Sequence, residues 1–149
     1  MLEYRYFLCA KCHRINRVSS EKMGRVLACG RCRETIAQDG SPAEITDAVL
    51  PDLVKKAPVP VLVDFWAPWC APCQTLAPYL EDFAVRHAGR LIVVKLNTEE
   101  NQRTAALLSI RSVPTLALYK AGELHQIHPG ALVGEQLENF VAPHLTFIS

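Results

Sequence analysis

Along the chain the apolar positions alternate between a helical period and short unbroken runs, the two patterns that separate amphipathic helices from buried strands. Val49, Leu50, Leu53 and Val54 share one face of a segment spanning Ala48 to Lys56, which predicts a helix. Val61-Leu62-Val63-Asp64-Phe65-Trp66 is nearly continuous in apolar residues, as a strand covered on both faces must be. Leu76, Leu80, Phe83, Ala84 and His87 mark one face of a helix that starts near Cys70, with Pro78 inside it predicting a kink. Leu91 to Leu96 reads as a second buried strand, and Glu99 to Leu108 as a short helix. Thr115 to Tyr119 and Leu124 to His128 flank Lys120-Ala121-Gly122-Glu123, a hairpin with a glycine turn. Leu132 to Ala142 is an amphipathic helix. Strands alternating with helices and closing on a hairpin predict an α/β fold, a mixed sheet with helices on both faces.

The first forty residues do not share this pattern. Asp39-Gly40-Ser41-Pro42 is a cluster of turn formers, and charge changes across it: residues 1–40 hold eight Lys/Arg against four Asp/Glu, residues 41–149 eight against eleven. A boundary is expected there, dividing a small module, 1–40, from a domain, 41–149. With 149 residues, 50% hydrophobic and 21% charged, the chain has the composition of a folded protein. The richest apolar stretch, Val59 to Trp69, is broken by Pro60, Asp64 and Pro68, so no membrane span is expected. Glu3 and Arg5 interrupt what would be the apolar part of a signal peptide. The expected compartment is therefore the cytoplasm, where thiols stay reduced. The six cysteines are read first as metal ligands or redox groups.

Cys70-Ala71-Pro72-Cys73 lies where a buried strand hands over to a helix. Unpaired backbone N–H groups and the helix dipole favour a thiolate there, so Cys70 should ionise near neutral pH. Cys73, one turn on, is placed to form a disulfide with it. Half of a metal site, or two inert core thiols, are the alternatives; Pro72 stiffens the turn against wrapping an ion. Asp64, in the middle of an apolar strand, should lose hydration and hold a proton near neutral pH. It is either a base for Cys73 or an acid satisfied by a donor such as Lys95.

Cys9-Ala10-Lys11-Cys12 and Cys29-Gly30-Arg31-Cys32, sixteen residues apart, have the spacing of a zinc ribbon. Forty residues bury too little surface to fold alone, so one structural Zn²⁺ would supply the missing stability. Two disulfides or free redox thiols are the alternatives. Cys9 to His13 also fits a haem-attachment spacing, but that leaves Cys29 and Cys32 without a role; His13 is expected as an exposed neighbour of the knuckle. Four thiolates around one Zn²⁺ reduce the module from +4 to +2, and its basic residues are scattered, which argues against nucleic acid as a partner.

Val61 to Cys73, Lys95-Leu96-Asn97, Ile110 to Leu116 and Gly130 together resemble the thioredoxin family. The resemblance implies the thioredoxin fold and reduction of protein disulfides, with Cys70 forming a mixed disulfide and Cys73 releasing it. It tips Asp64 toward the role of base, implies a cis Pro114, and places Trp69, Ala71, Pro72, Val113 and Pro114 against disulfide-containing substrate proteins. It also implies recharging by an NADPH-dependent thioredoxin reductase. Ala71 stands where the family commonly has Gly, and Gln74 where a cation often follows the second cysteine. With Asn16-Arg17 and Cys29 to Cys32, nearly the whole chain resembles the zinc-carrying second type of bacterial thioredoxin. A disulfide oxidase or isomerase on the same fold, and a zinc-based redox-sensing or binding module, are the rival functions.

Overall fold

The computed structural model describes residues 3–145. Met1 and Leu2, part of the segment read against a signal peptide, lie outside the described residues, as do the last four residues of the expected 41–149 domain.

A five-stranded sheet forms the centre of the molecule. Its strands β3 (Ala43–Ile45), β4 (Val61–Trp66), β5 (Ile92–Asn97), β6 (Thr115–Lys120) and β7 (Glu123–Pro129) lie in the order β3-β5-β4-β6-β7. β3 and β4 pair parallel to β5, and β6 and β7 add antiparallel strands. The alternation within β4 explains its nearly unbroken apolar run. Val61, Val63 and Phe65 join one core with Leu50, Leu53 and Val54 of helix α1 (Leu50–Lys56). Leu62 enters the opposite core, with Leu76, Leu80 and Phe83 of α2 (Ala71–Arg86) and Leu137 and Val141 of α4 (Glu135–Val141). Asp64 therefore points to the face that α2 covers.

Most predicted elements are present, with shifted ends. α1 starts at Leu50 with Pro51 in its first turn, a position where the missing N–H costs nothing. α2 runs through Pro78 without ending. α3 (Gln102–Leu107) begins three residues after Glu99. Its start is set from a distance: Asp47 Oδ1 accepts Thr104 N and Thr104 Oγ1, and Oδ2 accepts Arg103 N at 3.0 Å. α4 begins only at Glu135, after Gly134 at a φ of 55°, and closes in a 3-10 turn, Ala142–His144. β3 is the element the pattern did not predict. Three residues are too few to display a period, and its place depends on pairing with β5.

Residues before the turn cluster form an antiparallel pair, β1 (Tyr4–Leu8) and β2 (Ile15–Ser19), followed by a 3-10 turn, Ser20–Lys22. Phe7, Val18 and Ile36 gather with Cys9 and Cys29 in a separate small core. This unit docks at the end of the sheet where β4 and β5 begin. Tyr6 N donates to Gly89 O at 3.0 Å and Arg5 to Ala88 O at 3.1 Å, while Leu8 and Ile15 pack against the α1 side of the main core. Gly89, at a φ of 82°, leaves room for Arg5, since a Cβ there would meet the Arg5 side chain at 2.5 Å. No helix among the described residues is long and apolar enough to cross a membrane.

Candidate functional site

The buried strand β4 ends at Trp66, and Ala67 to Trp69 turn the chain into α2. Cys70 is the N-cap of that helix: its Sγ accepts the backbone N–H of Cys73 at 3.1 Å. The same sulfur is disulfide-bonded to Cys73, with a Cα–Cα distance of 5.3 Å. The Cys73 N–H aimed at the sulfur, with the Ala71 N–H and the positive end of the helix dipole, stabilises negative charge on Cys70; Pro72 has no N–H to add. Ala71 and Pro72 form the exposed first turn beside it. Exposure does not distinguish the two sulfurs: Cys70 is 2% and Cys73 4% exposed, both packed against Ala67, Trp66 and Val113. The helix position singles out Cys70.

Trp69 is 69% exposed, and its Nε1 donates to Glu99 at 2.6 Å. Across from it the Val113–Pro114 peptide is cis. Gly130 N donates to Pro114 O at 2.7 Å, and Thr115 Oγ1 to Ser112 O at 2.7 Å, which hold this loop against the disulfide. Between Trp69 on one side and Ile110, Ser112 and Val113 on the other runs an open cleft. Gln74 turns back to the loop, donating to Pro68 O at 3.3 Å. Nothing in the sequence pattern marked Glu99 as the partner of Trp69, because the contact joins residues thirty apart.

Asp64 is fully buried, and neither carboxyl oxygen has a hydrogen-bond partner. Lys95, its neighbour in register on β5, does not satisfy it; the ammonium lies over the Trp66 ring, 4.8 Å from the centroid. Of the two readings of Asp64, the satisfied acid is the one the geometry does not hold. Trp66 is only partly buried, yet its Nε1 is buried without a partner. Burial pushes Asp64 up to about 7, against the pull of Lys95 and with a further push from Glu44. In the unfolded chain an aspartate titrates near ~3.9. The folded state thus retains a proton that the unfolded state loses, so stability falls as pH rises between those two values. At pH 8 the burden reaches about 4 kcal/mol. Asp64→Asn should remove that slope, and urea denaturation between pH 4 and pH 8 will check it; an unchanged slope would place the buried proton elsewhere.

At the other end of the sheet, the four remaining cysteines come together. Their Sγ atoms all lie within 4.8 Å of one another, with Cys9 to Cys32 at 3.5 Å and Cys12 to Cys29 at 3.6 Å. A metal–sulfur distance of ~2.3 Å sets the edges of a tetrahedron at about 3.8 Å, so the donor set fits a tetrahedral thiophilic ion such as Zn²⁺. The two knuckles repeat one geometry. His13 N donates to Cys9 O and Cys9 N to Arg14 O; Arg33 N donates to Cys29 O and Cys29 N to Glu34 O. His13 and Arg33, at equivalent places, both have left-handed backbones, with φ of 63° and 70°. His13 is half-buried, less open than expected. Asn16 braces the second knuckle, accepting Gly30 N at 3.0 Å and donating to Cys29 Sγ at 3.5 Å. The Cys32 N–H, opposed by burial and helped by the Arg31 N–H and the Asn16 amide, pulls the Cys29 thiol down to about 5. Cys32 moves the other way: against the pull of the Glu34 N–H, burial and the neighbouring sulfurs push it up to about 11. Four thiolates so close need a cation to coexist.

The thioredoxin family model matches residues 41–143. A thioredoxin of Haemophilus influenzae is 44% identical over 101 residues, 68% of this chain and 94% of that protein. One from Acidithiobacillus ferridurans is 49% identical over 92 residues, 62% of this chain and 85% of that protein. Among solved structures, a mutant thioredoxin from Halobacterium salinarum superposes with a TM-score of 0.67 at 30% identity, covering 76% of this chain and 98% of that one.

Proposed function

The chain belongs to the thioredoxin family and is a thiol–disulfide oxidoreductase that reduces protein disulfides, and from that premise we propose that Cys70 attacks, Cys73 resolves and Asp64 accepts the proton. The observation that carries the assignment is Cys70 Sγ at the N-cap of α2, accepting Cys73 N–H while bonded to Cys73. In the reduced protein the Cys70 thiolate attacks one sulfur of a substrate disulfide and expels the other as a thiolate. The substrate segment lies in the cleft between Trp69 and Val113, touching Ala71, Pro72 and Pro114. Asp64, ionised, then takes the proton of Cys73 through a bridging water, since no direct hydrogen bond joins it to any group. The Cys73 thiolate attacks Cys70 Sγ and the second substrate sulfur departs. Two electrons pass to substrate, and the intramolecular disulfide remains.

The cluster of Cys9, Cys12, Cys29 and Cys32 holds one structural Zn²⁺, and residues 1–40 are a module separate from the catalytic domain at 41–149. What supports the division is the separate small core of the first unit and the family match that begins at Ser41. A bound ion neutralises the thiolates and fixes the two knuckles against each other. The docking of the module where β4 and β5 begin, while Cys70 follows the end of β4, sets the two sulfur groups a strand length of about 20 Å apart. Direct exchange between them has no route, which favours a supporting role for the metal. The partners are an NADPH-dependent thioredoxin reductase and disulfide-containing proteins, and the cytoplasm is the compartment that keeps both sulfur groups reduced.

Cys73→Ser tests the order of attack. Incubated reduced with a disulfide-containing protein such as insulin, this variant should accumulate a mixed disulfide that peptide mass spectrometry places on Cys70. Failure of any adduct to form there would reverse or remove the assignment.

A further inference from the structure

One rung of the sheet carries three charged residues side by side. Glu44 on β3 and Asp64 on β4 are each in register with Lys95 on β5, which lies between them. Residues in register across a parallel pair direct their side chains to the same face. Adjacent strands are about 4.8 Å apart, so the two acids stand roughly 10 Å from each other with the lysine midway. Next along the rung come Leu116 on β6, which is apolar, and His128 on β7, which meets the Phe140 ring edge-on. On α2, which covers this face, Cys73 is buried with Ala67 and Cys70, and Trp66 packs against them. Glu100 acts on Glu44 from the loop before α3.

The lysine commits to neither acid. No ion pair joins it to Asp64 or Glu44, and its ammonium rests on Trp66 instead. The two acids differ in their access to water: Glu44 reaches it at the sheet edge, although partial burial still holds its carboxyl above the usual range, whereas Asp64 is fully buried. Trp66 N–H also draws on Glu44 without reaching hydrogen-bonding distance. A buried carboxylate left alone with a lysine would form a tight ion pair and become a poor base. A second carboxylate on the far side of the lysine, at the sheet edge where water reaches it, opposes that collapse.

The geometry points to Glu44 as a positioning residue that shares the Lys95 ammonium with Asp64 and so keeps the buried acid available as proton acceptor for Cys73. This rests on the reading of Asp64 as that acceptor. With Glu44 ionised, Lys95 is held between two negative charges and gives Asp64 only part of its field. Without it, Lys95 turns to Asp64, the carboxylate is stabilised, and its affinity for the Cys73 proton falls.

The test is a ¹³C carboxyl titration of Asp64 in the reduced full-length protein, with the rate of mixed-disulfide resolution followed over the same pH range. Glu44→Gln should move the Asp64 midpoint to the acid side by roughly one pH unit: direct repulsion from one solvent-screened charge about 10 Å away supplies about 0.3 unit, and the Lys95 ammonium freed toward Asp64 supplies the rest. The pH profile of resolution should move with it. Glu44→Asp, which retains the charge, should recover most of the original midpoint. In a Lys95→Met background, Glu44→Gln should produce less than half the shift, because the shared ammonium is gone. An unmoved midpoint in Glu44→Gln, or a shift undiminished in Lys95→Met, overturns the sharing of Lys95 while leaving Asp64 as acceptor. If Asp64→Asn resolves the mixed disulfide at the original rate, the acceptor role fails instead, whatever the titrations show.

Discussion

Cys70→Ser is expected to lower the reduction of protein disulfides by at least about a thousandfold, to the rate of the reductant alone, with the metal content of the protein unchanged. The size follows from stoichiometry as well as reactivity. Two electrons leave this protein only by joining two sulfurs, and a hydroxyl at position 70 can neither form the mixed disulfide nor be joined to Cys73. Its oxygen also stays protonated where the N-cap N–H of Cys73 stabilises a thiolate. Insulin reduction and zinc analysis on the same samples will check both halves. Zinc lost along with activity would mean that the six sulfurs divide differently from Cys70 and Cys73 on one side and four ligands on the other. Turnover retained would remove Cys70 from the chemistry altogether.

Removing the metal should have a comparably large effect confined to the other end of the molecule. The small core around Phe7, Val18 and Ile36 includes Cys9 and Cys29 among its buried members, with Cys12 and Cys32 packed against it, so the proposed ligands are part of that core. Structural zinc contributes about 10–16 kcal/mol in small modules at neutral pH, more than such a core supplies. Chelation should therefore unfold the β1–β2 unit, read as loss of amide protection and rapid proteolysis between Tyr4 and Asp39. The five-stranded sheet should remain, since its two cores take only Leu8 and Ile15 from the module. Retained protection of Val18 in the metal-free protein would falsify the structural role of the ion.

Both sites and most of the fold were legible in the chain because their signals are local. The unbroken run in β4, the spacing of Leu76, Leu80 and Phe83, and each Cys-x-x-Cys pair are set by residues a few positions apart. The mixed α/β sheet and the candidate redox pair followed from these, the thioredoxin fold from the family resemblance, and the alternative half-metal reading of Cys70 and Cys73 gives way to a disulfide. β3 was not legible, nor was the true start of α3, because Asp47 determines it from more than fifty residues away. The Asp64 question stayed open in the sequence for the same reason: Lys95 was near enough in pattern to satisfy it, and only the packing of Trp66 shows where the ammonium goes.

The sequence by itself determined which residues could do chemistry: where a thiol meets a helix start, which acid is buried in an apolar strand, and which four cysteines have ligand spacing. The tertiary structure alone decided how they act on one another. It set Glu44, Lys95 and Asp64 on one rung, brought the four cysteines of the two knuckles within ligand distance of one another, and docked the unit that carries them at Gly89, ahead of β5. The physical reason is range. Helix and strand periods and helix-end electrostatics act over a turn or a few residues, while charge sharing, burial and ligand geometry depend on distances through space that only the folded chain defines.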